Sequence, residues 1–280
     1  MRRMFLPSAI ALTVLLGMPA AAEDTRLCKQ GEEALGRGNH KLAINLVTLC
    51  IKNGKLGTEA LARASLYRGN ALLGLDKFKG AMNDLNRTIG MRKNLAPAYA
   101  SRALIFARLK KHALAVVDYD RAIRFNPENA RLYYNRALSH MGAKDYQRPL
   151  KDLDKSEQLD RNFAGAINYN RGVVFAKLKL YDKAVSSFDH AIHLRWQMAV
   201  NYLNRGVMFL RAKKYDAAVI SLNYSISLKP NYGDAFTYRG LAREGQNNHQ
   251  TAITDYETAV SYGTTVNWTQ KRISQLRAAK

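Results

Sequence analysis

Six arginines, Arg68, Arg102, Arg136, Arg171, Arg205 and Arg239, follow one another at intervals of 34, 34, 35, 34 and 34 residues. The residues around them repeat as well. Tyr133-Tyr134-Asn135-Arg136-Ala137 returns as Asn168-Tyr169-Asn170-Arg171-Gly172 and as Tyr202-Leu203-Asn204-Arg205-Gly206, with weaker copies at Tyr67-Arg68-Gly69, Ser101-Arg102-Ala103 and Tyr238-Arg239-Gly240. Thirteen residues beyond an arginine stands Ala81, Ala115, Ala184, Ala218 or Ala252, a series broken once by Pro149. Seven further on stands Thr88, Ala122, Ser156, Ala191, Ser225 or Ala259. A small residue on each of two helices lets their backbones approach. A single such hairpin cannot bury its apolar face, so neighbours must stack. Pro127 and Pro230 stop the second helix in two of the units.

This pattern resembles the tetratricopeptide repeat family. The family's small-residue positions match Gly172, Ala184 and Ala191 in one unit, and its bulky positions match Tyr202, Phe209 and Leu222 in the next. Arginine replaces the family's usual leucine before the first small residue in six units. The resemblance implies an all-α fold, a right-handed superhelical α-solenoid of stacked antiparallel helix pairs. It comprises six units over residues 62–266, starting near 62, 96, 130, 165, 199 and 233, after a divergent first unit over 23–61. Trp268, Ile273 and Leu276 give residues 267–280 one apolar side, the mark of a polar-backed capping helix. Sixteen residues after the arginine stands Asp84, Asp118, Asp152 or Asp255 in four units, but Ser187 or Ser221 in the other two. Arg–Asp pairs between the two helices of those four units are expected, as a structural ladder rather than an anion site.

Residues 1–22 are set apart from this pattern. Arg2 and Arg3 precede an apolar run from Ala9 to Leu16, and Ala20 to Ala22 supply the small residues of a cleavage site. That is an export signal with a mature start at Glu23, and it places the protein in the periplasm of a Gram-negative bacterium or outside the cell. Arg2-Arg3 also resembles the twin-arginine motif, but Met1 and Pro7 depart from it, which favours the general secretory route. In an oxidising compartment Cys28 and Cys50, near opposite ends of the first hairpin's two helices, are expected to form a disulfide. Their spacing is not that of a redox or metal-binding pair.

Catalytic motifs are missing: there is no HExxH, no glycine-rich phosphate loop and no GxSxG turn. His190 and His193 share a helix face without a third ligand, so no metal and no cofactor are expected. His40, His112 and His249 stand where Tyr146, Tyr181 and Tyr215 stand in other units and read as packing residues. In the architecture that the resemblance implies, the first helices line a concave groove. Its middle holds Arg131, Tyr134, Asn135, Leu138, Tyr169, Asn170, Val173, Lys177, Leu203, Asn204, Val207 and Arg211. The asparagines 135, 170 and 204 recur in register as a ladder of amides that suits an extended peptide backbone, unless each merely packs between helices.

The charge balance is unusual. With 44 Lys and Arg against 22 Asp and Glu, the net charge is +22. Lys110, Lys111, Lys144, Lys179, Lys213 and Lys214 fall at the turns within units and form a basic edge. Two readings follow. The favoured one is a non-catalytic exported adaptor that binds a protein or peptide in the groove. The alternative is an electrostatic binder of anionic envelope polymer or lipid through the basic edge. Nucleic acid is disfavoured, because an exported chain without a nucleic-acid motif offers charge alone.

Overall fold

The computed structural model describes residues 20–278, apart from 54 and 265. The export signal expected over residues 1–22 lies outside them, except for the backbone of its last three residues, which opens the first helix. Among the described residues every regular element is helical. The chain divides into two compact units, residues 1–128 and 129–280.

The first unit holds three helix pairs: α1 (Ala20–Gly36) with α2 (His40–Asn53), α3 (Thr58–Gly74) with α4 (Phe78–Met91), and α5 (Ala96–Arg108) with α6 (His112–Phe125). The second unit holds four: α7 (Ala130–Gly142) with α8 (Pro149–Leu159), α9 (Ala164–Lys177) with α10 (Tyr181–His193), α11 (Met198–Arg211) with α12 (Tyr215–Leu228), and α13 (Gly233–Gly245) with α14 (His249–Ser261). A last helix, α15 (Val266–Ala278), packs on α14. In both units the second helix of a pair rests on the first helix of the next, so each hairpin's apolar face is closed by its neighbour.

Small residues set the helix spacing. Ala184 and Ala191 are fully buried where α10 meets α9. At Gly172 an added Cβ would lie 2.6 Å from the Phe188 ring, so only glycine lets that phenylalanine cross beneath α9. Pro149 does not break a helix. It sits in the first turn of α8, where a missing N–H costs nothing, and it delays the start of that helix behind a turn held by the Asp145 carboxylate. The single 35-residue interval gains its extra residue between Ser156 and Arg171, a stretch that includes a 3₁₀ turn, Arg161–Phe163, whose start Asp160 caps by accepting from the Asn162 amide at 2.9 Å.

The arginines tie the helices together. Arg68, Arg102, Arg136 and Arg239 each form two-pronged ion pairs with the aspartate sixteen residues on, at 2.6–2.7 Å for the shortest contacts. Where that aspartate is a serine, the carboxylate comes from the opposite direction. Arg171 reaches back to Asp154 (2.7 Å) and Glu157 (2.9 Å) on α8, and Arg205 reaches back to Asp189 (2.5 Å) on α10. Each guanidinium therefore has an anionic partner despite its burial, as a buried charge requires.

Cys28 and Cys50 form a disulfide between α1 and α2, with Cα atoms 5.4 Å apart. Closing a loop of this length contributes about 3 kcal/mol on the chain-entropy model. Reduction is accordingly expected to lower the melting temperature of the first unit while leaving the second unchanged. Hydrogen exchange with and without a reductant checks this, and protection lost uniformly across both units would contradict it.

At the C-terminal end Ile273 and Leu276 are buried against Tyr256, and Arg272 pairs with Glu244. Trp268 departs from the expected apolar side: it meets the Tyr256 ring edge-on at 5.7 Å but stays 46% exposed. His40 packs its ring over Gly74 as expected of a packing residue, whereas His249 is exposed.

Candidate peptide-binding face

The expected groove residues all lie in the second unit, on α7, α9 and α11. Arg131 lies in the first turn of α7, where its backbone N–H donates to the side-chain Oδ1 of the capping Asn129 at 3.1 Å. Its exposed guanidinium stands over the ring of Phe163, 6.0 Å from the centroid. Tyr134, one turn later, packs its ring 5.6 Å from the same phenylalanine. The Tyr134 hydroxyl accepts from the Asn170 amide nitrogen at 3.0 Å, and the same nitrogen donates to the Ala166 carbonyl at 2.8 Å. Burial raises the Tyr134 pKa above the ordinary phenol value, so the group is a neutral hydroxyl with a proton to donate.

Arg131, Phe163, Tyr134 and Asn170 thus form one continuous patch. The three asparagines are not equivalent within it. Asn170 is only 8% exposed and both its N–H groups are engaged inside the fold, whereas Asn135 and Asn204 are half-buried. Tyr169 is half-buried and lies 6.3 Å from Phe188, so much of its ring belongs to the core beneath the face. Lys177 and Arg211 end α9 and α11 and are exposed, about two turns beyond Asn170 and Asn204.

Phe163 is the residue that the repeat pattern hides. It belongs to no α-helix of the period, and it lies within the stretch where the interval lengthens to 35 residues. A second such residue is Asn201, fully buried, whose side chain donates to the Trp196 carbonyl at 2.7 Å and fixes the link between α10 and α11.

The lysines of the expected basic edge are exposed. Lys110 and Lys111 form the α5–α6 turn of the first unit; Lys144, Lys179, Lys213 and Lys214 lie in the three corresponding turns of the second. His190 and His193 line an open cleft of about 750 Å³ with Asp154, Glu157 and Arg161. Among the described residues no group of three or more His, Cys, Asp or Glu side chains is arranged to hold a metal ion. Nor is any described helix long and apolar enough to cross a membrane.

A family model described as a TPR repeat matches residues 105–142, from the end of α5 through α7. Over that stretch the chain is similar to a tetratricopeptide repeat. Human sperm-associated antigen 1 is 30% identical over 102 residues, which are 36% of this chain and 11% of that protein, so the chain spans a small part of that relative's length. Among solved structures, the C-terminal part of a TPR repeat-containing protein from Cytophaga hutchinsonii has a TM-score of 0.70 at 15% identity, covering 88% of this chain and 99% of that one. YrrB, described as a TPR protein with an unusual peptide-binding site, has a TM-score of 0.53 at 19% identity over 64% of this chain and 91% of its own. These likenesses share the fold, built from the same stacked helix pairs.

Proposed function

We propose that the protein is an exported, non-catalytic scaffold whose second unit holds an extended protein segment across the face of α7, α9 and α11. The observation that carries this reading is the Tyr134–Asn170 hydrogen bond, which fixes a half-buried aromatic beside Phe163, on the helix that also carries the half-buried Asn135. Tyrosine supplies rigid apolar area at little entropic cost and keeps a polar edge, the composition of binding surfaces. The half-buried amides offer a donor and an acceptor each, the complement of a peptide unit. YrrB lends the reading support as a protein of this fold described with a peptide-binding site. Export to the periplasm rests on the basic, apolar and alanine-rich order of residues 1–22, and the Cys28–Cys50 disulfide is consistent with an oxidising compartment.

The test is a random peptide library panned against the purified chain, with the best peptide titrated by fluorescence anisotropy. Asn135→Ala combined with Asn204→Ala is expected to weaken binding roughly tenfold, since each lost hydrogen bond contributes about 0.5–1.5 kcal/mol. Raising the salt concentration should change the affinity little, because groove contacts are not screened as exposed charges are. A library that yields no binder, or a peptide indifferent to the double variant, would overturn the reading.

A further inference from the structure

Each helix pair of the second unit is joined by a turn of the same construction. In the α9–α10 turn the Lys179 N–H bonds the Ala176 carbonyl at 3.1 Å and the Leu180 N–H bonds Phe175 at 2.9 Å. The same two bonds close the turns at Lys144, Lys213 and Asn247. They define a helix C-terminus that requires one residue in the left-handed region, a place taken by glycine or, less often, asparagine. Asn247 conforms. The other three positions are lysines, at φ values of 62°, 60° and 58° for Lys144, Lys179 and Lys213. A β-carbon is unfavourable there, and backbone strain that persists is a pointer to function. Three consecutive turns accept that strain for the same side chain.

Lys179 and Lys213 share an edge, and Lys144 holds the same place in the preceding hairpin. Lys214 reaches Asp182 at 3.1 Å, so the α9–α10 and α11–α12 turns lie side by side, and Gln246 reaches Asp216 to place the α13–α14 turn next to them. The acids on that edge are engaged: Asp182 with Lys214, Asp216 with Gln246, and Asp145 with Arg148 and His140. Among the described residues no ion pair engages Lys144, Lys179 or Lys213. Beside Lys179 the side chain of Leu180 is 42% exposed.

We propose that this turn edge docks the protein on an anionic bilayer surface, with Lys144, Lys179 and Lys213 at the lipid phosphates and Leu180 entering the interface between them. A soluble polyanion would use the lysines but offers nothing to an exposed leucine, whereas the headgroup boundary accepts both. The proposal does not depend on the peptide reading.

Sedimentation of the full chain with phosphatidylcholine vesicles, with and without phosphatidylglycerol, tests this. The informative variant is Lys144→Gly with Lys179→Gly and Lys213→Gly, because glycine suits the left-handed turn and removes the charge together. The variant is expected to melt above the wild type and yet to lose on the order of a hundredfold in partition onto the anionic vesicles, at about fivefold per lysine. Arginine at the same three positions should retain binding. A glycine variant that binds vesicles like the wild type would overturn the proposal. So would a wild-type chain that ignores anionic vesicles while binding inorganic polyphosphate.

Discussion

Replacing Asp255 by alanine is expected to cost the second unit about 3–5 kcal/mol, the usual loss when one partner of a buried ion pair is removed. This carboxylate is 2% exposed and serves two cations. Arg239 binds it through Nη2 at 2.6 Å and Nε at 3.0 Å, and Arg243 through Nη1 at 2.9 Å. With the carboxylate gone, Arg239 keeps the neutral Asn223 oxygen and the face of the Phe236 ring. Arg243 is left worse off, since burial already lowers its pKa from the ordinary guanidinium value. The loss should appear as a lower urea midpoint for α13 to α15. Glu257→Ala is the control, because its pair with Arg277 is exposed on both sides and is worth less than about 1 kcal/mol. Equal small losses from the two substitutions would show that Asp255 neutralises nothing the solvent does not already screen.

Phe188→Ala should cost a similar amount, about 3–5 kcal/mol, as large-to-small changes of buried aromatics do. Phe188 is 1% exposed and fills the space beneath Gly172, with Ala184 and Met208 around it. Its coupling to Gly172 makes the prediction sharper. Gly172→Ala alone forces a methyl within 2.6 Å of the ring and destabilises. In the Phe188→Ala background the same methyl enters the vacated space, so the double variant should be more stable than the sum of the single losses predicts. Additive losses in a double-mutant cycle would mean that the helices move apart instead of holding their spacing.

The architecture was legible because the chain states it repeatedly. The arginine interval, the small residues thirteen and twenty positions beyond it and the aspartate at sixteen all describe one helix hairpin, and an all-helical fold of such hairpins is what the structure contains. What stayed hidden lies between hairpins. The carboxylates that serve Arg171 and Arg205 precede them in the chain, on a helix of the neighbouring pair, and a search for partners within one unit passes over them. The face of α7, α9 and α11 shows the same division. The register of Asn135, Asn170 and Asn204 can be read from the period, but which amide turns inward is decided by Tyr134 on the adjacent pair. Phe163 sits in the one place where the period slips, and a pattern defined by regularity carries no information there.

The direction from which each arginine draws its carboxylate also governs how a chain of this kind can lengthen. A hairpin such as α13–α14 carries its own aspartate, so a tandem copy of it would arrive with its guanidinium already neutralised. The hairpin α11–α12 borrows Asp189 from its predecessor and presents Asn223 to its successor. Copied in tandem, it would give its second arginine serine on one side and asparagine on the other. Growth by duplication is open to the first kind of cassette and closed to the second until a new acid appears, so the order of units here is inherited as a phrase rather than as interchangeable words.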